Sequence, residues 1–440
     1  MTTTDEDLDE DVHPGRQRLS LLIAFAATVP GIVLAVGSPQ LTHWLEALLF
    51  GLAIVGSAFL LSWAAEVAQL DISAGLAIAV LAFIAVLPEY AVDFVLALDG
   101  GHGYKAHGAL CQSPAAVRAG EDSPCSLALA NMTGANRLLI GIGWSLVAFI
   151  AWRQWKKRGQ RHEGIQLDRS HSVELSYLAV ATFYSITLPL KRSITLIDAA
   201  ILVTIFVMYT VRISKAPAEE PHLVGPAQWL GSFRTARRRT VVLVLFFFAA
   251  GVILLVAENF AHALVATGRE FGISEFLLIQ WLAPLASEAP ELLVAGLYAW
   301  RLNTQAGLGT LVSSKVNQWT LLVGTLPIAF AIASGSTHGL PLAPRQREEL
   351  LLTAAQSVFA LAVLVNRSLS NREALGLFSL FWAQFILGAI VPAQWHGKER
   401  VVVSVVYLAL AVRTFLVDRH ALPRLFRDGF RTPYARLQEE

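Results

Sequence analysis

Two proline–glutamate pairs sit deep in apolar stretches of this chain. The first lies in Leu87-Pro88-Glu89-Tyr90-Ala91-Val92-Asp93, the second in Ser287-Glu288-Ala289-Pro290-Glu291-Leu292-Leu293. A charged group at the centre of a bilayer costs about 2.5–3.5 kcal/mol on insertion scales, so an acid kept there has a partner or a task. Asp93 follows Glu89 by four residues, about 40° around a helix, and Glu288 precedes Glu291 by three, about 60° around. Each helix therefore presents two carboxyls on one face. Four acids cannot ionise together in a low dielectric without cations. The chemistry this suits is the binding of a hard cation such as Ca2+ or Na+ by oxygen ligands, with protons competing for the same oxygens. Glu89 and Glu291 are the expected metal-binding pair, joined by Asp93 and Glu288.

Neutral oxygens follow each pair. One segment reads Asn131-Met132-Thr133-Gly134-Ala135-Asn136-Arg137, the other Ser313-Ser314-Lys315-Val316-Asn317-Gln318-Trp319-Thr320. Asn131, Asn136, Asn317, Ser287 and Thr320 complete the expected cation-binding set. Plainer roles exist for each. A single buried acid fits a paired network or a helix cap, and Asn136 and Asn317 fit helix-packing amides. Ser287 and Thr320 fit hydroxyls bonded to their own helix backbone. Arg137 and Lys315 bring positive charge beside the amides and are read as charge-compensating. Lys315 is expected to pair with Glu288 and stand in for one cation, the alternative being a carbonyl contact or snorkelling. Glu66, Glu258 and His262 fall near helix ends, where they reach the interface or serve as a proton relay. Trp281, Trp300 and Trp319 read as packing or interfacial anchors.

The elements that must position these residues are membrane helices. The chain has 440 residues, 55% hydrophobic and 15% charged, against about 25% charged in soluble proteins. The apolar residues collect in runs of about 20, the length of a bilayer crossing. This excludes a soluble multidomain enzyme, a disordered chain and a single-span protein with a large outer domain. Twelve spans are expected, at about 19–37, 46–69, 73–97, 124–152, 172–190, 192–213, 240–266, 272–299, 304–334, 350–366, 373–391 and 401–417. The net charge of +1 gives no reason to expect a nucleic-acid partner. Cys111 and Cys125 are too few for a disulfide scaffold; they form one disulfide or two thiols.

Each Pro-Glu pair comes about 17 residues after an Ile-Ser pair, Ile72-Ser73 and Ile273-Ser274, and is followed by an amide-bearing helix. The halves are thus copies. Five helices in each copy is an odd number, so the second enters the membrane from the opposite side, the inverted-repeat architecture of many secondary transporters. The expected fold is an all-α polytopic membrane protein, with a ten-helix core of two inverted five-helix repeats and one flanking helix at each end. The expected divisions are an acidic tail at 1–18, an additional helix and loop at 19–45, a first repeat at 46–213, a basic linker at 214–239, a second repeat at 240–391, and a C-terminal helix and basic tail at 392–440. Segments 153–171 and 212–239 carry six Lys and Arg each, and the tail beyond Arg413 carries five. The positive-inside rule then puts both termini in the cytoplasm, with the plasma membrane as the expected location.

These residues resemble the calcium/cation antiporter superfamily, the sodium/calcium exchanger type. Its repeats carry a Gly-Ser/Thr-Ser-x-Pro-Glu helix followed by a Gly-Asn-x-x-Gly-Ser-Asn-x-x-Asn helix. The resemblance is specific over about 70 residues and is compatible with most of 46–391. It implies a ten-helix core exchanging cations by alternating access, with Glu89 and Glu291 carrying the central ion, Ser287 as a hydroxyl ligand, and Asn131, Gly134, Asn136 and Asn317 in the amide helices. This chain departs from the pattern: Ala85 and Val86 stand where the first repeat has hydroxyls, Ala135 and Leu139 replace a serine and an asparagine, and Val316 replaces a serine. Thr320 stands where the second repeat has an amide or acid, and Glu288 where a small hydroxyl is usual. Sodium sites need neutral oxygens, so these changes point to fewer sodium ions and more proton involvement. The expected activity is exchange of Ca2+ for H+ or Na+, with inorganic cations as substrates and no cofactor. The alternatives are a monovalent cation (Na+ or K+)/H+ antiporter on the same fold and a transport-inactive ion sensor. No His-Glu-x-x-His run or Gly-x-Ser-x-Gly elbow appears, so an enzyme is not expected.

Overall fold

The computed structural model describes residues 14–37, 41–71, 87–160, 162–216, 223, 225–392, 395 and 397–437. Ile72, Ser73, Ala85 and Val86, with the first half of the third expected span, lie outside the described residues. Among the described residues, twelve long helices follow one another: α1 (Pro14–Gly37), α2 (His43–Ala68), α3 (Leu87–His107), α4 (Pro124–Lys157), α5 (Ser172–Ser185), α6 (Leu196–Ile213), α7 (Thr235–Phe271), α8 (Glu275–Trp300), α9 (Thr304–Ser334), α10 (Pro344–Leu364), α11 (Asn371–Ile390) and α12 (Lys398–Val417). A further, shorter helix, α13 (Ala421–Phe430), lies in the expected basic tail. Eight of the described helices are long and apolar enough to cross a membrane. The Pro-Glu helices α3 and α8 are not among them, because their acids dilute the apolar content.

Chain chemistry sets the boundaries. Ser123 caps α4 by accepting from Ser126 N, and Thr195 and Asp198 form a reciprocal capping box at α6. The expected Lys191-Arg192 turn is there, but α5 ends earlier, at Ser185, and a short 3-10 turn at Leu188–Leu190 follows. Pro344 starts α10 six residues before the expected start. Arg413 does not interrupt α12, since it is exposed in that helix's last turns.

Four short strands establish the inversion. β1 (Gly164–Gln166), between α4 and α5, pairs antiparallel with β4 (Ser368–Ser370), between α10 and α11. β2 (Ser193–Ile194), between α5 and α6, pairs with β3 (Leu340–Pro341), between α9 and α10. Thus the third connector of one unit of five meets the fourth connector of the other, and the reverse. Successive connectors lie on opposite sides, so this pairing needs the units α2–α6 and α7–α11 to run in opposite senses.

One face gathers the basic segments. Gln17 donates to Gln228 at 3.2 Å, and Arg238 bonds Asp71 at 2.7 and 2.9 Å. Arg169 bonds Asp428 at 2.8 and 3.1 Å, and Arg212 donates to the carbonyls of Gly429 and Thr432. The opposite face carries the Cys111–Cys125 disulfide and the Arg345–Asp122 pair at 2.9 Å. Lipid-facing apolar side chains stay on the outside, such as Leu22 and Ile23 on α1, Leu254 on α7 and Val405 on α12.

Candidate cation site

Each Pro-Glu helix packs against both amide helices, its own and that of the other repeat. Close approach needs small residues in lipid, where apolar burial gives helices little reason to associate. Gly134 on α4 meets the backbone carbonyl of Gln280 on α8, where no Cβ fits. Pro284 has no N–H for that same carbonyl, so it is left outside the helical ladder and turned to α4. Pro290 likewise leaves the Ala286 carbonyl without its helical donor. Gly101 on α3 packs the same way on Phe330 of α9. Both amide helices widen into a π-turn just after their asparagine, Leu139–Trp144 after Asn136 and Gln318–Leu322 after Asn317. Such widenings are rare and concentrate at functional sites.

The acids converge from the two repeats. Glu89 is 4% exposed, Asp93 1% and Glu288 2%. The Glu89 carboxyl lies within electrostatic reach of Glu288, Asp93, Glu291 and Lys315. Asn131 lies beside the Asp93 carboxyl without closing a hydrogen bond to it. Glu89 Oε1, Glu288 Oε2 and Glu291 Oε2 are buried with no hydrogen-bond partner among the described residues. Among the described residues, no group of three or more His, Cys, Asp or Glu is gathered closely enough to hold a metal ion alone.

Lys315 does not pair with Glu288 as expected. It is fully buried and its Nζ donates to both the backbone carbonyl and the Oδ1 of Asn136, at 2.6 Å each. Asn136 is held in turn by its Nδ2 donating to Met132 O at 2.9 Å. The lysine stem is long enough to reach the other repeat's amide helix, and two oxygens there replace its water. Glu288 instead accepts from Gln318 Nε2 at 2.6 Å, a residue the sequence reading passed over although it adjoins Asn317. Ser287 donates to Ala283 O and Pro284 O, and Thr320 to Val316 O, so both hydroxyls are bonded to their own helices.

Arg137 also departs from expectation, pointing away from the four acids. Its guanidinium lies 2.7 Å from Glu349 on α10, both side chains 4% exposed, and 5.1 Å above Trp281. Glu349 is bound further by Arg400 of α12 at 2.9 Å and Gln280 at 3.1 Å. Glu349 escaped notice because it fell just before the expected start of its helix. Pro344, a preferred first helical residue, was the available signal.

A cavity of about 430 Å3 runs from the termini-bearing face to Glu291, lined by Glu66, Gln69, Tyr209, Ser287, Ser314 and Asn317 among others. Glu291 is half-buried at its inner end, whereas Glu89, Asp93 and Glu288 are closed off. Glu66 therefore sits on an approach to the site. His262, on the other side, bonds Asp99 at 2.8 Å. Trp319 is buried and donates to Ser357 at 2.7 Å, while Trp300 is exposed.

The family model described as sodium/calcium exchanger protein matches residues 42–215 and 241–390. Among solved structures, the H+/Ca2+ exchanger CAX is 40% identical, with a TM-score of 0.84, over 96% of this chain and 98% of that one. Native YfkE shares the fold at 13% identity and a TM-score of 0.57, over 89% of this chain and 100% of that one. Comparison with curated proteins gave no match. With well over half of its length matched by that model, the chain belongs to the sodium/calcium exchanger protein family.

Proposed function

We propose that the protein is a secondary active antiporter that exchanges Ca2+ for H+, or for Na+, by alternating access at a midplane site. The observation that carries this is the convergence of Glu89, Asp93, Glu288 and Glu291 from two inverted repeats, with buried carboxylate oxygens left unbonded. Such oxygens call for a cation or a proton. The 40% identity to a protein described as an H+/Ca2+ exchanger supports the same pair of ions. Glu89 and Glu291 are the central ligands, Asp93 and Glu288 their companions, and Asn131, Asn136 and Asn317 the amide oxygens. Among the described residues no three acids lie close enough to hold a metal ion alone, so a bound Ca2+ draws on amide and backbone oxygens as well, among them the freed Ala286 carbonyl. Ser287 and Thr320 contribute if their helix bonds open. Lys315 lies near Glu288 and Glu89, so a group that itself exchanges protons adjoins the acids, which favours protons over sodium as the counter-ion.

The cavity reaching Glu291 corresponds to the conformation open to the termini-bearing face. That face is cytoplasmic by its excess of Lys and Arg, and the plasma membrane is the proposed location. The functional divisions are repeats at 46–213 and 240–391, separated by the linker 214–239. A monovalent cation/H+ antiporter is the second reading, favoured by the absence of a gathered acid cluster among the described residues. Flux in proteoliposomes under imposed pH or sodium gradients decides between them. Ca2+ movement driven by a pH gradient is expected. Monovalent flux alone selects the second reading, and no gradient-driven flux of any cation means an ion sensor.

A further inference from the structure

The segment after the last crossing carries a charge pattern that the exchange site does not use. α12 ends at Val417 and α13 starts at Ala421, so α13 lies where the chain leaves the bilayer. Its inner face is fastened to the bundle. Arg169 grips Asp428, Arg212 bonds the carbonyls of Gly429 and Thr432, and Ser176 donates to Leu425 O at 3.1 Å. Gly429 packs on Ser176, with no room for a Cβ. That fastening fixes which side faces out.

The outward side is basic. Arg413, Arg419, Arg424, Arg427, Arg431 and Arg436 are all exposed. Among the described residues, only Arg427 of these comes within 4 Å of a carboxylate, Asp428 at 3.6 Å, and that acid is committed inward to Arg169. Arg424, Arg427 and Arg431 follow at i, i+3 and i+7, one stripe of the helix. Phe426 and Phe430 stack at 5.9 Å beside them, with Phe430 39% exposed. A short helix with arginines and aromatic rings at a membrane exit has the form of an interfacial element.

We propose that α13 and the arginines around it bind the headgroups of anionic phospholipids in the leaflet on the termini-bearing face. Charge complementarity and direct continuity with a membrane-crossing helix select this occupant. The surface rests on α5 and on Arg212 of α6, and His171, just before α5, and Tyr209 on α6 stand in the wall of the cavity leading to Glu291. Headgroup binding therefore steadies one wall of that cavity.

The test is hydrogen exchange of residues 421–437 in the full-length chain, in nanodiscs of phosphatidylcholine alone or of phosphatidylcholine with phosphatidylglycerol. Each arginine at an anionic surface is worth about fivefold in partition, so the stripe of three is worth roughly a hundredfold. Exchange is expected to slow at least tenfold with phosphatidylglycerol and low salt, and to revert at high salt. The variant Arg424→Gln/Arg427→Gln/Arg431→Gln should lose the lipid effect, and the matching lysine variant should keep it. Equal exchange in both lipids overturns the proposal, whether the tail is slow in both, through its protein contacts alone, or fast in both. A lipid effect that survives the glutamine variant overturns it too. The readout does not depend on transport, so it stands apart from the exchange reading.

Discussion

Removing Arg137 should cost stability and leave ion choice intact. Its guanidinium and the Glu349 carboxylate lie 2.7 Å apart with 4% exposure on each side. Truncating one partner of such a buried pair costs about 3–5 kcal/mol, because the other charge is stranded. The neighbours decide where in that range each change falls. Without Arg137, Glu349 keeps Arg400 at 2.9 Å and Gln280 at 3.1 Å, so Arg137→Met falls near the lower end, about 3 kcal/mol. Without Glu349, Arg137 keeps, among the described residues, the Thr133 carbonyl at 3.3 Å and the Trp281 face at 5.1 Å. Glu349→Met therefore falls near the upper end, about 5 kcal/mol. The double variant should cost less than the two singles added, since neither charge is left behind. The assay is unfolding of the purified chain in lipid or mild detergent, with cation flux measured on the folded fraction. An Arg137→Met variant of normal stability but altered ion dependence would refute this reasoning and return Arg137 to the cation site.

Lys315→Gln should disturb both of the bonds that Asn136 accepts from the ammonium, costing about 1–3 kcal/mol, and should let a monovalent cation compete at the site; ion dependence identical to wild type at several pH values argues against a role for Lys315 in ion choice. Gly134→Ala drives a Cβ into the Gln280 carbonyl, so a loss of about 1–3 kcal/mol and a sharp fall in flux are expected, and a fully active variant contradicts the close crossing. Acid should release the C-terminal tail. Burial opposes the Asp428 charge, but bonds from Arg169 and Thr432 and the nearby arginine charges outweigh it and hold the carboxyl below the usual range. A depressed value means the clasp's contribution is complete above the ordinary carboxylate range and lost as pH falls through the lower folded-state value. Faster hydrogen exchange of 421–437 at acid pH checks this, and unchanged protection there speaks against it.

Much of the fold was legible because its rules act along the chain. Runs of about 20 apolar residues give crossings whatever packs against them, and two copies of Pro-Glu with an odd helix count give the inversion. The acids were legible for the same reason, since a carboxylate in an apolar helix stands out without knowledge of its neighbours. The partners were not. Lys315 and Asn136 are 179 positions apart, and Arg137 lies far in sequence from Glu349 on α10. Sequence spacing places a residue on a helix face, but which of two acids a long side chain reaches depends on how helices cross. The crossing of α4 and α8 depends on Gly134 and on the carbonyl freed by Pro284, a tertiary detail. Glu349 and Gln318 were missed differently, one by a helix start set six residues late and one because an amide beside Asn317 drew no separate attention. The π-turns left no pattern in the residues, since they arise where packing forces an extra residue into a helical turn.

The central claim is that Glu89 and Glu291 carry the exchanged cation. Its most direct test is pH-gradient-driven Ca2+ flux into vesicles holding the full chain, compared with Glu89→Gln and Glu291→Gln. Gradient-dependent flux is expected in the wild type and none in either variant, with insertion and folding unchanged. Wild-type flux in either variant would contradict it.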